Sequence, residues 1–143
     1  MSSIIEFFVA PDDTAAAGVV ENGPGGRFES AVHGNFDVWS TLVEWESLLT
    51  GRSLEEFTTG DGPRVVTGND GLPVVLAAAG ELTRALAVAG DHRLGTTAEQ
   101  WAGLREEQGE TIDGELAREL VKEVAALAAG AVRTGSALYC RIS

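Results

Sequence analysis

ELARELVKEVAALAAGAVRTGSALYCRI, residues 115–142, decides the fold, because it holds one element of each kind joined across a single glycine. Over Glu115–Arg133, the residues Leu116, Leu120, Val124, Leu127 and Ala131 recur at the three-and-four spacing of one helix face. Glu115, Arg118, Glu119 and Lys122 fall on the other face, at spacings that allow local ion pairs. Gly135 ends that helix, since glycine enters the left-handed region without steric cost. Ala137–Ile142 then alternates as a strand, with Leu138, Cys140 and Ile142 on one face and Ala137, Tyr139 and Arg141 on the other.

The opposite end of the chain supplies a partner for that strand. Ile4–Val9 reads IIEFFV, β-rich and apolar on both faces apart from Glu6, which is the pattern of an interior strand. One strand opens the chain, another closes it, and the helices between show no regular βαβ alternation. The expectation is therefore a single α+β domain over residues 1–143. Its small, mainly antiparallel or mixed sheet contains both terminal strands as neighbours and is packed with several helices.

Between the two strands the strongest helical pattern is FDVWSTLVEWESLL, Phe36–Leu49. Val38, Leu42, Trp45 and Leu49 form its inward line, with Trp39 and Val43 beside it, Leu48 on the other flank, and Asp37, Thr41 and Glu44 on the polar side. Asn35 or Asp37 caps its start and Gly51 stops it. Pro11, Asp12 and Asp13 begin a short helix after the first strand, and Asn22–Gly26 can only be a turn or loop. Phe28–Val32 reads as extended, Ser53 with Glu56 as a capping box, and Arg64–Thr67 as a small β island in a loop or in a hairpin turning at Asn69–Gly71. Ala77–Ala89 reads as a helix with Leu82, Ala85, Leu86 and Ala89 inward; Gly90–Thr97 is a connection holding His92, and Thr97 with Gln100 starts a helix carrying Trp101 and Leu104.

Composition narrows the function classes. A chain of 143 residues buries about two-thirds of its unfolded surface, enough for one real core. A formal charge of -12 and a pI near 4.4 argue against nucleic acid and anionic membranes, which both require a basic face, and favour a basic partner or cationic ligand. Cys140 is the only cysteine, which excludes an intramolecular disulfide and a thiolate zinc site and suits a reducing compartment. The N-terminus lacks the basic flank of a secretory signal, and no apolar run reaches the length of a membrane span. The expected location is the cytoplasm.

Motifs for specific chemistries are missing. The Asn22–Gly26 glycines lack the lysine and hydroxyl of a phosphate loop, no GxSxG elbow or HExxH pair occurs, and the acids from Glu106 to Glu119 lack the spacing of a calcium loop. That acidic run reads as a solvated helix junction, and Cys140 as a buried inert thiol. The candidates that remain are His33 with Asp37, as metal ligand or general base, and Glu46, which falls inside the apolar arc beside the indoles. Glu46 either acts there as an acid, base or cation contact, or pairs with an arginine such as Arg84 or Arg141. Trp39 completes the candidate binding set, and no catalytic residue, metal ligand set or cofactor is assigned.

The SIIEFFV strand running directly into a helix, the Trp39 helix ending in Leu48-Leu49-Thr50-Gly51, and the long last helix followed by a closing strand resemble the YfbM-like family of small bacterial proteins. That resemblance implies an α+β domain and brings no established activity or catalytic residues with it. Two functional expectations follow from the residues. The first is a non-enzymatic interaction module that binds a basic protein, in the manner of a toxin-neutralising immunity protein. The alternative is a small metal-dependent hydrolase or ligand-binding enzyme using Glu46, His33 or Asp37.

Overall fold

A computed structural model describes residues 4–18, 30–34 (backbone), 36–51, 63–67 and 73–143. The elements in chain order are β1 (Ile4–Ala10), α1 (Asp13–Ala17), β2 (Ser30–Gly34), α2 (Val38–Thr50), β3 (Arg64–Val65), β4 (Val74–Ala77), α3 (Gly80–Val88), α4 (Asp91–Glu107), α5 (Gly114–Thr134) and β5 (Ala137–Ile142). The turns expected at Asn22–Gly26 and Asn69–Gly71 and the capping box of Ser53 and Glu56 lie outside the described residues.

The closing motif forms as its residues dictate. Gly135 sits at φ 68 and turns the chain out of α5, so that β5 runs back antiparallel to β1 with Phe7 opposite Cys140 and Glu6 opposite Arg141. β5 occupies the middle of a five-stranded sheet of order β2-β1-β5-β4-β3, and every pairing is antiparallel. The fold is α+β with both terminal strands adjacent, as expected. β1 is an interior strand between β2 and β5, which is why its apolar residues occupy both faces.

The two faces of the sheet differ. Ile5, Phe7, Leu76, Leu138 and Cys140 meet the helices, with α5 against the sheet, α3 and α4 beside α5, and α2 against α3 and α4. Phe8, Ala10, Val75, Ala77 and Tyr139 face the other way and pack with Ala16 of α1. Glu6 is an exception to an apolar strand because its register partner is Arg141, whose Nη1 donates to its Oε1 at 2.9 Å. Trp45 joins sheet to helices, its ring 5.9 Å from that of Phe7 and 5.3 Å from that of Trp101. Its buried indole N–H has no partner among the described residues. That omission costs about 1–3 kcal/mol, less than the roughly 4–6 kcal/mol from removing an indole-sized area from water at about 25 cal/mol per Å².

Several boundaries and faces differ from the expectation. The first three residues of the expected Ala77–Ala89 helix do not belong to it, since Ala77 ends β4 and Gly80 begins α3. α4 starts at Asp91 rather than after Thr97; Thr97 is an interior helical residue whose hydroxyl donates to the Arg93 carbonyl at 2.8 Å. His92 is therefore an exposed residue of the first turn of α4, not of a connection. On α5, Leu116 is exposed, and Ala117, Val121 and Ala128 join Leu120, Val124 and Leu127 in the buried face. The cations of its polar face reach α4, with Arg118 Nη1 3.4 Å from Glu99 Oε1 and Lys122 Nζ 3.0 Å from Asp91 Oδ1.

Candidate functional site

The start of α2 is held by two carboxylates. Asp37 at the N-cap accepts from the Ser40 backbone N–H at 3.2 Å and from the Ser40 hydroxyl at 3.0 Å. Its own backbone N–H donates to Glu110 Oε2 at 3.0 Å, which ties α2 to the segment joining α4 and α5. Glu110 Oε1 in turn accepts from Arg105 Nη1 at 2.9 Å, and Arg105 uses Nε and Nη2 for a bidentate contact with Glu44 at 2.8 and 2.5 Å. The Arg105 and Glu44 side chains are only 4% and 9% exposed. Burial opposes the charge on Arg105, yet the hydrogen bonds to Glu44 and Glu110 outweigh it and hold its pKa above the ordinary arginine value.

This arrangement corrects the expected polar side of α2. Thr41 and Glu44 are buried, because Thr41 Oγ1 accepts from Trp101 Nε1 at 3.1 Å and Glu44 accepts from Arg105. Trp39, expected beside the core line, is 46% exposed instead. At 3.6 residues per turn it lies about 140° around α2 from Glu44, on the flank away from the side that meets Arg105. Glu106, Glu107, Asp113, Glu115 and Glu119 are exposed around that connection and make no ion pair among the described residues. The acidic run is therefore not purely a solvated junction, since Glu110 within it organises the α2 terminus.

The other predicted residues fall elsewhere. Glu46 is 1% exposed, inside the apolar arc as its position suggested, and no substrate reaches it without opening the fold. It lies nine residues after Asp37 on the same helix, about 14 Å along the axis at 1.5 Å per residue, so the two carboxylates cannot share one ion. His33 is in β2, opposite Ile5 in the register. Among the described residues, no group of three or more His, Cys, Asp or Glu side chains could hold a metal ion. Arg141 pairs with Glu6, and Arg84 lies in α3 without an ion pair among the described residues. Cys140 is buried, and that burial, with the Glu6 charge adding to it, pushes its thiol well above the usual range, so the native thiol is unreactive.

A second polar cluster went unread in the sequence. Asp13 Oδ2 and Oδ1 accept from Arg64 Nη1 and Nη2 at 2.7 and 3.1 Å, and Oδ1 also accepts from the Tyr139 hydroxyl at 2.8 Å. The Arg64 bonds and then the Tyr139 bond hold Asp13 below the usual carboxylate range. Burial, then the bond to Asp13, pushes the Tyr139 phenol well above its ordinary value. The alternation of β5 puts Tyr139 on the face opposite Leu138 and Cys140, but nothing local points to partners in α1 and β3.

No helix among the described residues is long and apolar enough to cross a membrane. No protein family, curated protein or solved structure matches the chain.

Proposed function

We propose that this protein is a non-enzymatic interaction module of the cytoplasm that docks a basic protein partner on the surface formed by the start of α2 and the α4–α5 connection. The observation that carries the reading is Trp39, 46% exposed in the first turn of α2, on a protein whose α4–α5 connection also presents Glu106, Glu107, Asp113 and Glu115 to solvent. An indole offers a large contact area at little entropic cost, and interfaces are enriched in tryptophan as an anchor. The surrounding charges would steer a basic partner and set its orientation. Asp37, Glu44, Arg105 and Glu110 fix the backbone beneath the anchor, so the surface is organised before it binds. An immunity-type protein that neutralises a basic toxin has this chemistry, and nothing in the YfbM-like resemblance brings a catalytic residue that would argue otherwise.

The test is affinity capture from the native host's lysate at low and moderate salt, with wild type, Trp39→Ala and a charge-reversed variant at Glu106 and Glu107, followed by mass spectrometry. The expected result is one stoichiometric basic protein that wild type retains at low salt, that moderate salt releases, and that both variants lose while keeping the wild-type melting temperature. Equal capture by all three proteins, or capture indifferent to salt, would remove this surface from the account.

A further inference from the structure

The opposite end of α5 carries a different feature. A cavity of about 440 Å³ lies between the start of α3 and the end of α5, lined by small apolar side chains including Ala79, Val132 and Ala137 and by Arg64, Arg84 and Ser136. That volume is in the range of small-molecule sites, which run from roughly 300 to 1,000 Å³. The chain has 22 acidic residues, yet none of them lines this cavity among the described residues, while two of its ten cations do. The lining is therefore of the opposite sign to the protein as a whole.

Each cation has donors to spare. Arg64 gives two of its five N–H groups to Asp13, and that pair is open to solvent, the side chains being 61% and 47% exposed. Arg84 has no ion pair among the described residues, and its guanidinium turns back over the first residue of its own helix. A Cβ on Gly80 would lie 3.2 Å from Arg84 Nη1, so the absence of a side chain at Gly80 makes room for the charged group there. The first turn of α3 has no side-chain cap, because Ala79 occupies the N-cap position. At the neighbouring end of α5, the Ala131 and Val132 carbonyls accept from the Ser136 N–H at 2.8 Å and the Gly135 N–H at 3.4 Å, and the Gly130 carbonyl accepts from the Thr134 hydroxyl at 3.0 Å.

We infer that this cavity binds a small organic oxyanion, a phosphate monoester or a carboxylate, whose charged head lies between Arg84 and Arg64 and whose apolar body rests on Ala79, Val132 and Ala137. Guanidinium groups bind either head in bidentate fashion. The volume exceeds what a bare oxyanion fills, and the alanines and Val132 offer the remainder no polar partner. The site is independent of the Trp39 surface, since the cavity lining includes neither Trp39 nor any residue of the α4–α5 connection, and either can fail without the other.

The test is a titration of the full chain, followed by amide NMR and calorimetry, with phenyl phosphate, benzoate, inorganic phosphate and the neutral benzyl alcohol as probes, on wild type and on Arg84→Gln. Arg84 is exposed, so the variant should fold with an unchanged melting temperature. Expected is saturable binding of phenyl phosphate or benzoate with amide shifts at Gly80, Glu81 and Thr83, and no saturable binding of benzyl alcohol. Arg84→Gln should weaken the anion by roughly tenfold or more, the size of one charged hydrogen bond. Whichever of the two organic anions binds more tightly identifies the head group. No saturable shift with any anion at millimolar concentrations, equal affinity in Arg84→Gln, or phenyl phosphate and benzoate both no tighter than inorganic phosphate would each overturn the inference.

Discussion

Arg105 illustrates how a single side chain decides the stability of one end of the molecule. Removing a charged pair from water costs several kcal/mol per ion, and it is tolerated only when geometry and additional hydrogen bonds compensate. Here three N–H groups of Arg105 reach two carboxylates, and the second of these also receives the Asp37 N–H. The pair is asymmetric under mutation. Arg105→Met should leave the Glu44 carboxylate buried without its partner and lower stability by about 3–5 kcal/mol, whereas adding Glu44→Leu to that variant should restore most of the loss. Urea denaturation of the wild type, both single variants and the double variant measures the coupling. Additive losses would show that the two charges do not compensate each other. Neither partner was legible in the sequence: Glu44 and Arg105 are 61 positions apart, and a helical wheel of α2 assigns a glutamate at that angle to solvent.

At the level of elements, the contact among α1, β3 and β5 is a proton-linked clasp. Tyr139 is the only tyrosine of the chain, so its ionisation is read without interference from another phenol. Its raised pKa means that the folded state retains the proton. The stabilisation is complete below the ordinary tyrosine value of about 10 and is lost as pH rises towards the folded value. Asp13 works in the reverse direction: its lowered pKa stabilises the fold above the ordinary aspartate value of about 3.9, and this is lost as pH falls through the folded value. The acid effect should be small, since the Asp13 side chain is 47% exposed. The expected outcome is that phenolate absorbance in an alkaline titration appears only together with cooperative unfolding, monitored by tryptophan fluorescence. A phenolate step near the ordinary value with the fold intact would show that Tyr139 is not shielded. The faces of β5 were readable because a strand alternates with period two and one side is covered by helices. The start of α4 was not, because Thr97 and Gln100 satisfy a local capping pattern, while the buried spacing of Leu94, Ala98, Trp101 and Arg105 continues through it. On α5, alanines at 117, 125 and 128 form much of the buried face. Alanine serves equally in core and surface, so the leucines alone drew the stripe slightly off and assigned Leu116 to it.

For the molecule as a whole, α5 separates two regions of opposite character. Its 21 residues span about 30 Å, with exposed carboxylates at the N-terminal end and the Arg64–Arg84 cavity at the C-terminal end. Both ends depend on β5, the middle strand, which joins β1 on one side and β4 on the other. Its register partners in β1 lie almost the whole chain away, with Ile5 opposite Ile142 and Ala10 opposite Ala137. The sheet therefore cannot close until the last residues are present, and the loop-closure entropy of that pairing is recovered only when α5 packs over it. Ending the chain after Thr134 should remove more than an edge. β1 and β4 would each lose an inner neighbour, and the contacts of Leu138 and Cys140 with the helix-facing core would vanish together. The expected outcome is a chain that retains helical far-ultraviolet dichroism but lacks a cooperative thermal transition and the near-ultraviolet signal of ordered tryptophans. A truncated chain that still unfolds cooperatively would mean that the α2–α5 helices, rather than the five-stranded sheet, hold Trp45 and Trp101 in place.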